Sequence, residues 1–368
     1  MILIRWLRAI AAELLSKLDL PLLVALLAVM ASSLVVLSSA SGGERLVLSQ
    51  AARFAAGLAG LVLLSRVPPV RLKRWAPAFF AVTLVLLLLV FPFGSGRSAN
   101  LWLNLGVFHL QPGELLKLSV PMLLAWYLHR IALPPGWSAL AICAVIIGLP
   151  FALITLQPDL GTALLVAAAG AFAVFLSGIA WWRIGLFAAA GVAALPIAWQ
   201  FLMPYQQARV FMFLDPESDP RGSGWNIIQS KIAIGSGGWS GKGWGKGSQS
   251  HLDFLPESTT DFVFSVLSEE WGLLGVLLVL GLYLFIIGRS LWIAANARDC
   301  FARLLAGSLA MTFSIYVLVN GGMVAGLLPV VGVPMPLLSF GGTSAVSLLL
   351  GFGIIMSVQA HRKVHGSG

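Results

Sequence analysis

The sequence predicts an all-α, polytopic membrane protein of about ten transmembrane helices, with its N- and C-termini cytoplasmic. Three observations predict it: an apolar composition, apolar runs of spanning length, and basic residues gathered on one side of those runs. Of the 368 residues 59% are hydrophobic and only 10% are charged, and the mean hydropathy is +0.94. A soluble domain carries about 25% charged residues, so lipid is the solvent that suits this composition.

Apolar runs long enough to cross a bilayer, which takes roughly 20 residues, predict the spans. They lie near 20–40, 46–65, 75–94, 114–132, 138–156, 161–181, 183–204, 261–288, 300–327 and 336–360. Residues 1–19 mix basic and apolar side chains without a cleavage site, which predicts an amphipathic cytoplasmic segment. The chain 1–368 is otherwise a single integral membrane domain, whose two cysteines, Cys143 and Cys300, are expected to be packing residues.

The distribution of basic residues orients these spans. Fourteen of the 23 Lys and Arg residues lie on the side of the N-terminus with only three acids, a net charge of +11 against −2 for the rest of the chain. The positive-inside rule places that side in the cytoplasm. The overall charge of +9 is therefore a signal of topology, and nucleic acid is not an expected partner.

Three ionisable residues open predicted spans, where charges are expensive and often functional. Glu114 and Lys117 are spaced i, i+3, so they share one helix face and can pair. A self-neutralising ion pair and a substrate-facing pair are equally compatible with that spacing. Asp159 follows Gln157-Pro158 at the mouth of span six, where capping of the helix N-terminus is favoured over a functional role.

Two adjacent acids, Glu269 and Glu270, fall within span eight. If that helix begins near Asp261, Glu269 lies about 12 Å further along it. Carboxylates at this depth need cationic or water partners. Arg53 and Lys117 are candidates, although the sequence does not assign either of them to these acids.

The predicted extracytoplasmic loop 205–260 carries most of the polar sequence. Seven glycines between Gly235 and Gly247 alternate with Trp and Lys residues. No Ser or Thr follows either lysine, which argues against a phosphate-binding P-loop. The composition favours a flexible loop at the level of the lipid headgroups, near enough to approach a lipid-linked phosphate.

Asp261 stands where this loop enters span eight, with Glu257 four residues and Asp253 eight residues before it. An acid in the first turn complements the helix dipole, and the local sequence slightly favours this role. The alternative is a general base at the membrane–water boundary, whose pKa burial would raise and the helix N-terminus would lower. Metalloprotease and serine hydrolase motifs are absent from the sequence.

Several motifs together resemble the SEDS family (shape, elongation, division and sporulation), and its RodA-like elongation branch more than its division branch. The matching pieces are Gln111–Lys117 (QPGELLK), Gln157–Thr162 (QPDLGT), Tyr205-Gln206 with Arg209, Lys246–Ser250 (KGSQS), Phe254–Phe262 (FLPESTTDF), Gly326–Pro329 (GLLP) and Ser339–Ser344 (SFGGTS). These motifs run across most of the chain.

The resemblance implies a peptidoglycan glycosyltransferase that polymerises lipid II at the outer face of the plasma membrane, beside a class B penicillin-binding transpeptidase. It implies that Asp261 is essential, so the general base replaces the capping role as our expectation. Undecaprenyl pyrophosphate would be the leaving group. The expected substrate-binding residues are Glu114, Lys117, Asp159, Arg209, Lys246, Glu257 and Ser339.

Lys117 and Arg209 are the expected partners of the pyrophosphate charge, and Glu114 is expected to orient Lys117. A divalent cation, Mg or Mn, is compatible with such chemistry, but the sequence identifies no ligands for it. Two alternatives stay open at this point. Broken helices around a polar cavity would also suit a flippase or transporter for lipid-linked precursors, and the chain could be a non-catalytic scaffold for the transpeptidase.

Overall fold

The computed structural model describes residues 17–41, 43–96, 100–106, 109–215, 224–251 and 257–363. Most of the predicted N-terminal segment and Asp253 lie outside these residues. The described helices are α1 (Leu20–Ala40), α2 (Glu44–Ser65), α3 (Pro69–Phe93), α4 (Pro112–Leu128), α5 (Trp137–Leu156), α6 (Leu160–Leu176), α7 (Trp181–Phe201), α8 (Pro204–Leu214), α9 (Trp225–Ser236), the short α10 (Ser248–His251), α11 (Val263–Ala295), α12 (Cys300–Val324) and α13 (Thr343–Ala360).

Eight of these helices are long and apolar enough to cross a membrane: α1, α2, α3, α5, α7, α11, α12 and α13. Helices α4 and α6, of 17 residues each, occupy the positions of the predicted spans four and six. The multi-pass helical fold is confirmed, whereas the total of ten spans stays a prediction.

A small antiparallel sheet joins α3 to α4, inside the predicted outward loop. Its strands are β1 (Gly94–Ser95), β2 (Trp102–Asn104) and β3 (His109–Leu110), in the order β1-β2-β3. Leu103 pairs with Gly94 on one side and with Leu110 on the other. The sheet places Trp102 against Gly342, because a Cβ on that glycine would lie 3.7 Å from the indole ring.

Helices α2 and α13 pack closely because glycines line their contact. A Cβ on Gly57 would lie 2.5 Å from the side chain of Leu349, and one on Gly353 would lie 2.8 Å from the carbonyl oxygen of Leu61. Small residues of this kind let helix backbones approach each other in membranes. Helix α7, in contrast, has no buried residue.

The last predicted span, placed near 336–360, begins later, at Thr343, because Leu337 before it has a φ of 58°, which an α-helix does not allow. Span eight, placed near 261–288, begins close to that position at Val263 and extends to Ala295.

Helix α11 is broken at Gly272, whose φ of 64° and ψ of −163° are not helical. The glycine-rich segment supplies the hydrogen bonds that the break removes. Backbone N–H groups of Lys242 and Gly243 donate to the carbonyl oxygens of Glu269 and Glu270, each at 3.0 Å. Unpaired backbone groups cannot be tolerated in lipid, so the broken helix depends on this segment.

The other side of the break is satisfied in the same way. Leu273 and Leu274 donate their N–H groups to the carbonyl oxygens of Gly238 and Trp239, at 2.9 and 3.1 Å. A Cβ on Gly241 would lie only 2.0 Å from the carbonyl oxygen of Glu270. The prediction that these residues form a flexible loop is therefore wrong. Their glycines allow the backbone of the glycine-rich segment to pack directly against the backbone of α11.

Candidate functional site

Asp261 lies in a turn formed by residues 257–262, directly before α11. Phe262 is the N-cap of that helix, and no side chain makes a capping hydrogen bond there. The side chain of Asp261 is half-buried. Asp261 thus precedes the N-cap by one residue and makes no capping hydrogen bond, and the favoured role of complementing the helix dipole stays a prediction.

Asn320, near the end of α12, holds this turn against the segment that follows it. Its amide Nδ2 donates to the carbonyl oxygen of Asp261 at 3.0 Å and to that of Val333 at 2.7 Å. The side chain is fully buried. Sequence reasoning did not assign Asn320 a role, although an asparagine at the end of an apolar span is a signal of function.

The segment 328–342 passes close to the Asp261 carboxylate. Gly332 has a φ of 72°, and a Cβ added there would lie 3.8 Å from Oδ2 of Asp261. The N–H of Phe340 donates to the carbonyl oxygen of Thr259 at 2.9 Å. Two points of this non-helical segment therefore border the turn that carries Asp261.

The surroundings of Asp261 raise its pKa from the ordinary 3.8 to about 6. Burial is the main cause, because it disfavours the charged form, and the negative charge of Glu257 adds to it. The positive charge of Arg209, on α8, acts in the opposite direction. A carboxylate with this pKa is ionised at neutral pH and is a stronger base than an ordinary aspartate.

Glu257 and Arg209, both expected at the site, are thus close enough to Asp261 to affect its charge. The two side chains are exposed. Oε2 of Glu257 accepts a hydrogen bond from the hydroxyl of Thr260 at 2.6 Å. Their expected contact with the substrate is not tested by this arrangement and stays a prediction.

Glu114 and Lys117 form the self-neutralising pair that the spacing allows. Nζ of Lys117 lies 2.7 Å from Oε1 of Glu114, and both residues are buried. Lys117 also donates to the hydroxyl of Tyr316, and Oε2 of Glu114 accepts from the hydroxyl of Ser347 at 3.0 Å. The pair joins α4 to α12 and α13, and two of the three N–H donors of its ammonium group are used by protein partners.

The remaining expected residues have their own local roles. Asp159 caps α6, since its Oδ1 accepts from the N–H of Thr162 at 3.0 Å. The hydroxyl of Ser339 is buried and accepts from the N–H of Met335 at 2.8 Å. Lys246 is exposed in the glycine-rich segment. Their expected contact with the substrate stays a prediction.

The two adjacent acids in α11 have partners other than the two candidate cations, Arg53 and Lys117. Nζ of Lys242 lies 2.6 Å from Oε1 of the fully buried Glu269. The same carboxylate accepts from the N–H groups of Ser248 and Gln249, at 2.9 and 3.2 Å. Glu270 accepts a hydrogen bond from Ser39. Neither Arg53 nor Lys117 contributes, because the break in α11 brings the glycine-rich segment closer than either of them.

Arg53 instead faces a cavity of about 1260 Å³ between α2, α13, α4 and the small sheet. Its guanidinium lies 4.4 Å from the ring centroid of Phe340, and its Nη1 reaches the carbonyl oxygen of Gly341 at 3.5 Å. The described residues form no group of three or more His, Cys, Asp or Glu side chains that could hold a metal ion. The expected divalent cation therefore has no ligand set in that part of the chain.

Comparisons with known proteins agree over nearly the whole chain. The FtsW/RodA/SpoVE family of cell cycle proteins matches residues 13–364. The chain is 48% identical over 350 residues to the peptidoglycan glycosyltransferase MrdB of Escherichia coli K12, across 94% of this chain and 95% of that protein. It is 36% identical over 318 residues to a probable peptidoglycan glycosyltransferase FtsW of Trichlorobacter lovleyi, across 84% and 82% of the two chains.

Solved structures share the fold. The crystal structure of the rod shape determining protein RodA from Thermus thermophilus superimposes with a TM-score of 0.72 at 30% identity, over 94% of this chain and 98% of that one. A chain of a peptidoglycan synthase complex that coordinates polymerisation and crosslinking superimposes with a TM-score of 0.82 at 34% identity, over 94% and 99%. The chain belongs to the FtsW/RodA/SpoVE family.

Proposed function

We propose that this chain is a peptidoglycan glycosyltransferase that polymerises lipid II into glycan strands during cell elongation. The activity is the one named for relatives that match nearly its whole length. The observation that carries the proposal is the half-buried carboxylate of Asp261, which has a pKa of about 6 and makes no capping bond. A base with that pKa suits the activation of a sugar hydroxyl at neutral pH.

In the reaction, Asp261 accepts the proton of the acceptor hydroxyl as its oxygen attacks the anomeric carbon of the donor sugar. A new glycosidic bond forms, and the bond between that carbon and the pyrophosphate oxygen breaks. Undecaprenyl pyrophosphate leaves with the electron pair. No step in this scheme uses a metal ion.

Arg209 and Glu257 set the charge around the base, one lowering and one raising its pKa. Asn320 is a positioning residue, because it holds the backbone of Asp261 without contacting the carboxylate. Glu114, Lys117 and Asp159 act on the substrate only indirectly, through the helices that they join or cap, and Ser339 acts through the turn that its hydroxyl closes with Met335. Their hydrogen bonds to protein partners support this division of roles.

The chain is expected to work in the plasma membrane, with Asp261 on the extracytoplasmic side. Its basic residues, concentrated on the side of the termini, support that orientation. A class B penicillin-binding transpeptidase is the proposed partner. The similarity to a chain from a complex that couples polymerisation with crosslinking supports the partnership.

Purified chain incubated with labelled lipid II tests the proposal. Glycan chains resolved on a gel support the glycosyltransferase. Movement of lipid II across vesicles without polymer would indicate a flippase instead. If neither polymer nor movement of lipid II is observed, with the transpeptidase present or absent, the result would indicate a non-catalytic scaffold.

A further inference from the structure

One buried carboxylate, that of Glu269, joins three pieces of the chain. Its Oε1 lies 2.6 Å from Nζ of Lys242 in the glycine-rich segment and accepts from the N–H of Ser248 at 2.9 Å. The hydroxyl of Ser248 donates to the same oxygen at 2.9 Å, and the N–H of Gln249 lies 3.2 Å from each carboxylate oxygen. Nζ of Lys242 also donates to Oγ of Ser248 at 2.9 Å. The glycine-rich segment, α10 and α11 therefore meet at this carboxylate.

These contacts close a loop of the chain that contains the proposed base. Gln249 comes twelve residues before Asp261, and Glu269 comes eight residues after it. The turn of residues 257–262 leads directly into α11, and the helix from Val263 to Glu269 is about 9 Å long. Because Glu269 binds Gln249 from the other end of the loop, it restrains both sides of the turn that carries Asp261.

The break in α11 at Gly272 gives this restraint its importance. In an unbroken helix, backbone hydrogen bonds would fix the first part of α11 relative to the rest, but the bonds across this break go to the glycine-rich segment instead. Residues 263–270 are buried, and a neutral hydrogen bond of 2.8 Å joins the hydroxyls of Ser230 and Ser265. Charge-assisted hydrogen bonds are stronger and more directional than neutral ones, so Glu269 is the main polar anchor of this part of the helix.

We propose that Glu269 is a positioning residue for the base: through Lys242, Ser248 and Gln249 it closes the loop 249–269 and holds the Asp261 turn in its half-buried position. The inference rests on the proposed function, which gives Asp261 its task. Among the described residues, Glu269 makes no hydrogen bond to Asp261, so it acts through the chain that it restrains.

Hydrogen–deuterium exchange of the full-length chain in nanodiscs tests this restraint directly. The N–H groups of Thr260 and Phe262 donate to the carbonyl oxygen of Glu257, at 3.2 and 3.1 Å, and they report whether the turn is intact. Glu269→Gln removes the negative charge and turns one acceptor oxygen into a donor that faces other donors. We expect peptides that cover residues 257–262 to exchange about tenfold faster in this variant.

The matched control is Asp19→Asn, which weakens an ion pair of the same kind at the other end of α11. Asp19 is buried, accepts from the N–H of Leu22 at 3.1 Å and lies 2.7 Å from Nη2 of Arg289, which is on α11 beyond the break. Asp19→Asn should leave exchange in residues 257–262 unchanged. Equally fast exchange in both variants would indicate a general loss of stability and would overturn the inference.

The pH dependence of polymerisation is a second readout, which a role in stability alone would not change. A looser turn exposes Asp261 to water, and burial is the largest cause of its raised pKa. Glu269→Gln should therefore lower the plateau rate about tenfold and move the midpoint to lower pH, while Asp19→Asn changes neither. The charges that act on Asp261, those of Glu257 in its own turn and Arg209 on α8, are the same in both variants.

Two milder variants keep the inference testable if Glu269→Gln does not fold. Ser248→Ala removes one hydroxyl but keeps the backbone N–H, so it should cause the same changes to a smaller extent. Lys242→Arg retains the cation and should remain close to the wild type. Wild-type exchange and a wild-type midpoint in folded Glu269→Gln, or in Ser248→Ala where the former does not fold, would overturn the inference.

Exchange requires no turnover, so the two proposals fail separately. A chain that forms polymer, but whose Glu269→Gln variant keeps the wild-type exchange, rate and midpoint, contradicts this inference and leaves the proposed function intact. A chain that forms no polymer, but whose residues 257–262 lose protection in Glu269→Gln and not in Asp19→Asn, supports the restraint and contradicts the proposed activity.

Discussion

The pH dependence of polymerisation should report the environment of Asp261. A general base works only when deprotonated, so the rate is full above its pKa and falls about tenfold for each pH unit below it. Burial and Glu257 raise the pKa of Asp261 to about 6. The rate should therefore begin to fall just below neutral pH.

The size of the effect follows from that pKa. At pH 5 about one tenth of a group with a pKa of 6 is ionised, so about one tenth of the plateau rate should remain. An aspartate with the ordinary pKa of 3.8 would be more than about nine tenths ionised at the same pH, and its rate would hardly change.

Two substitutions should move the midpoint in opposite directions. Glu257→Gln removes a negative charge that raises the pKa of Asp261, so the midpoint should shift to lower pH. Arg209→Gln removes a positive charge that lowers it, so the midpoint should shift to higher pH. The midpoint of Glu257→Gln should stay above that of an ordinary aspartate, because burial is the larger cause.

The assay is the initial rate of polymer formation from labelled lipid II, between about pH 4.5 and about pH 8.5. Glu44→Gln and Arg45→Gln, at exposed positions that begin α2, are the matched controls and should leave the midpoint unchanged. A wild-type profile that stays flat down to pH 5 would refute the reasoning. Shifts of both site variants in the same direction would refute it as well.

Three further predictions concern the parts that hold the site. Gly241→Ala should lower the free energy of unfolding by at least about 2 kcal/mol, because its Cβ meets a backbone carbonyl, whereas Gly245→Ala has open space and should cost about 1 kcal/mol. Lys242→Met leaves the buried carboxylate of Glu269 without its cation and should lower the free energy of unfolding by about 3 kcal/mol. Lys246→Met, at an exposed position, should hardly change it. Denaturation in detergent measures all four, and equal losses within either pair would contradict the packing described. Asn320→Ala should reduce the polymerisation rate about tenfold without weakening the binding of undecaprenyl pyrophosphate, and an unchanged rate would exclude its positioning role.

The sequence predicted the helical membrane fold because each span must bury its backbone polar groups internally, which leaves a long apolar run as its signature. The residues at which helices begin were less predictable where a span meets a polar loop. Pro336 and Leu337 lie in an apolar stretch, yet the backbone conformation of Leu337 delays the start of α13 until Thr343. Apolarity does not reveal such a break.

The candidate site was predictable in part. Asp261, Glu257 and Arg209 are polar residues near the ends of predicted spans. In the structure the charges of Glu257 and Arg209 act on the pKa of Asp261. The pairing of Glu269 with Lys242 was not predictable, because it depends on the break in α11 at Gly272. A single glycine in an apolar span does not predict such a break. The cavity that Arg53 faces likewise arises between distant elements, from the packing of α2 against α13 and the small sheet.

The most direct test of the central claim is the rate at which Asp261→Asn polymerises lipid II near neutral pH. Asp299→Asn, the same chemical change at a half-exposed residue next to Lys73, is the matched control. A positioned general base contributes about 100-fold or more, so Asp261→Asn should lose at least that factor while Asp299→Asn retains the wild-type rate. A folded Asp261→Asn variant that polymerises within about threefold of the wild type would contradict the account.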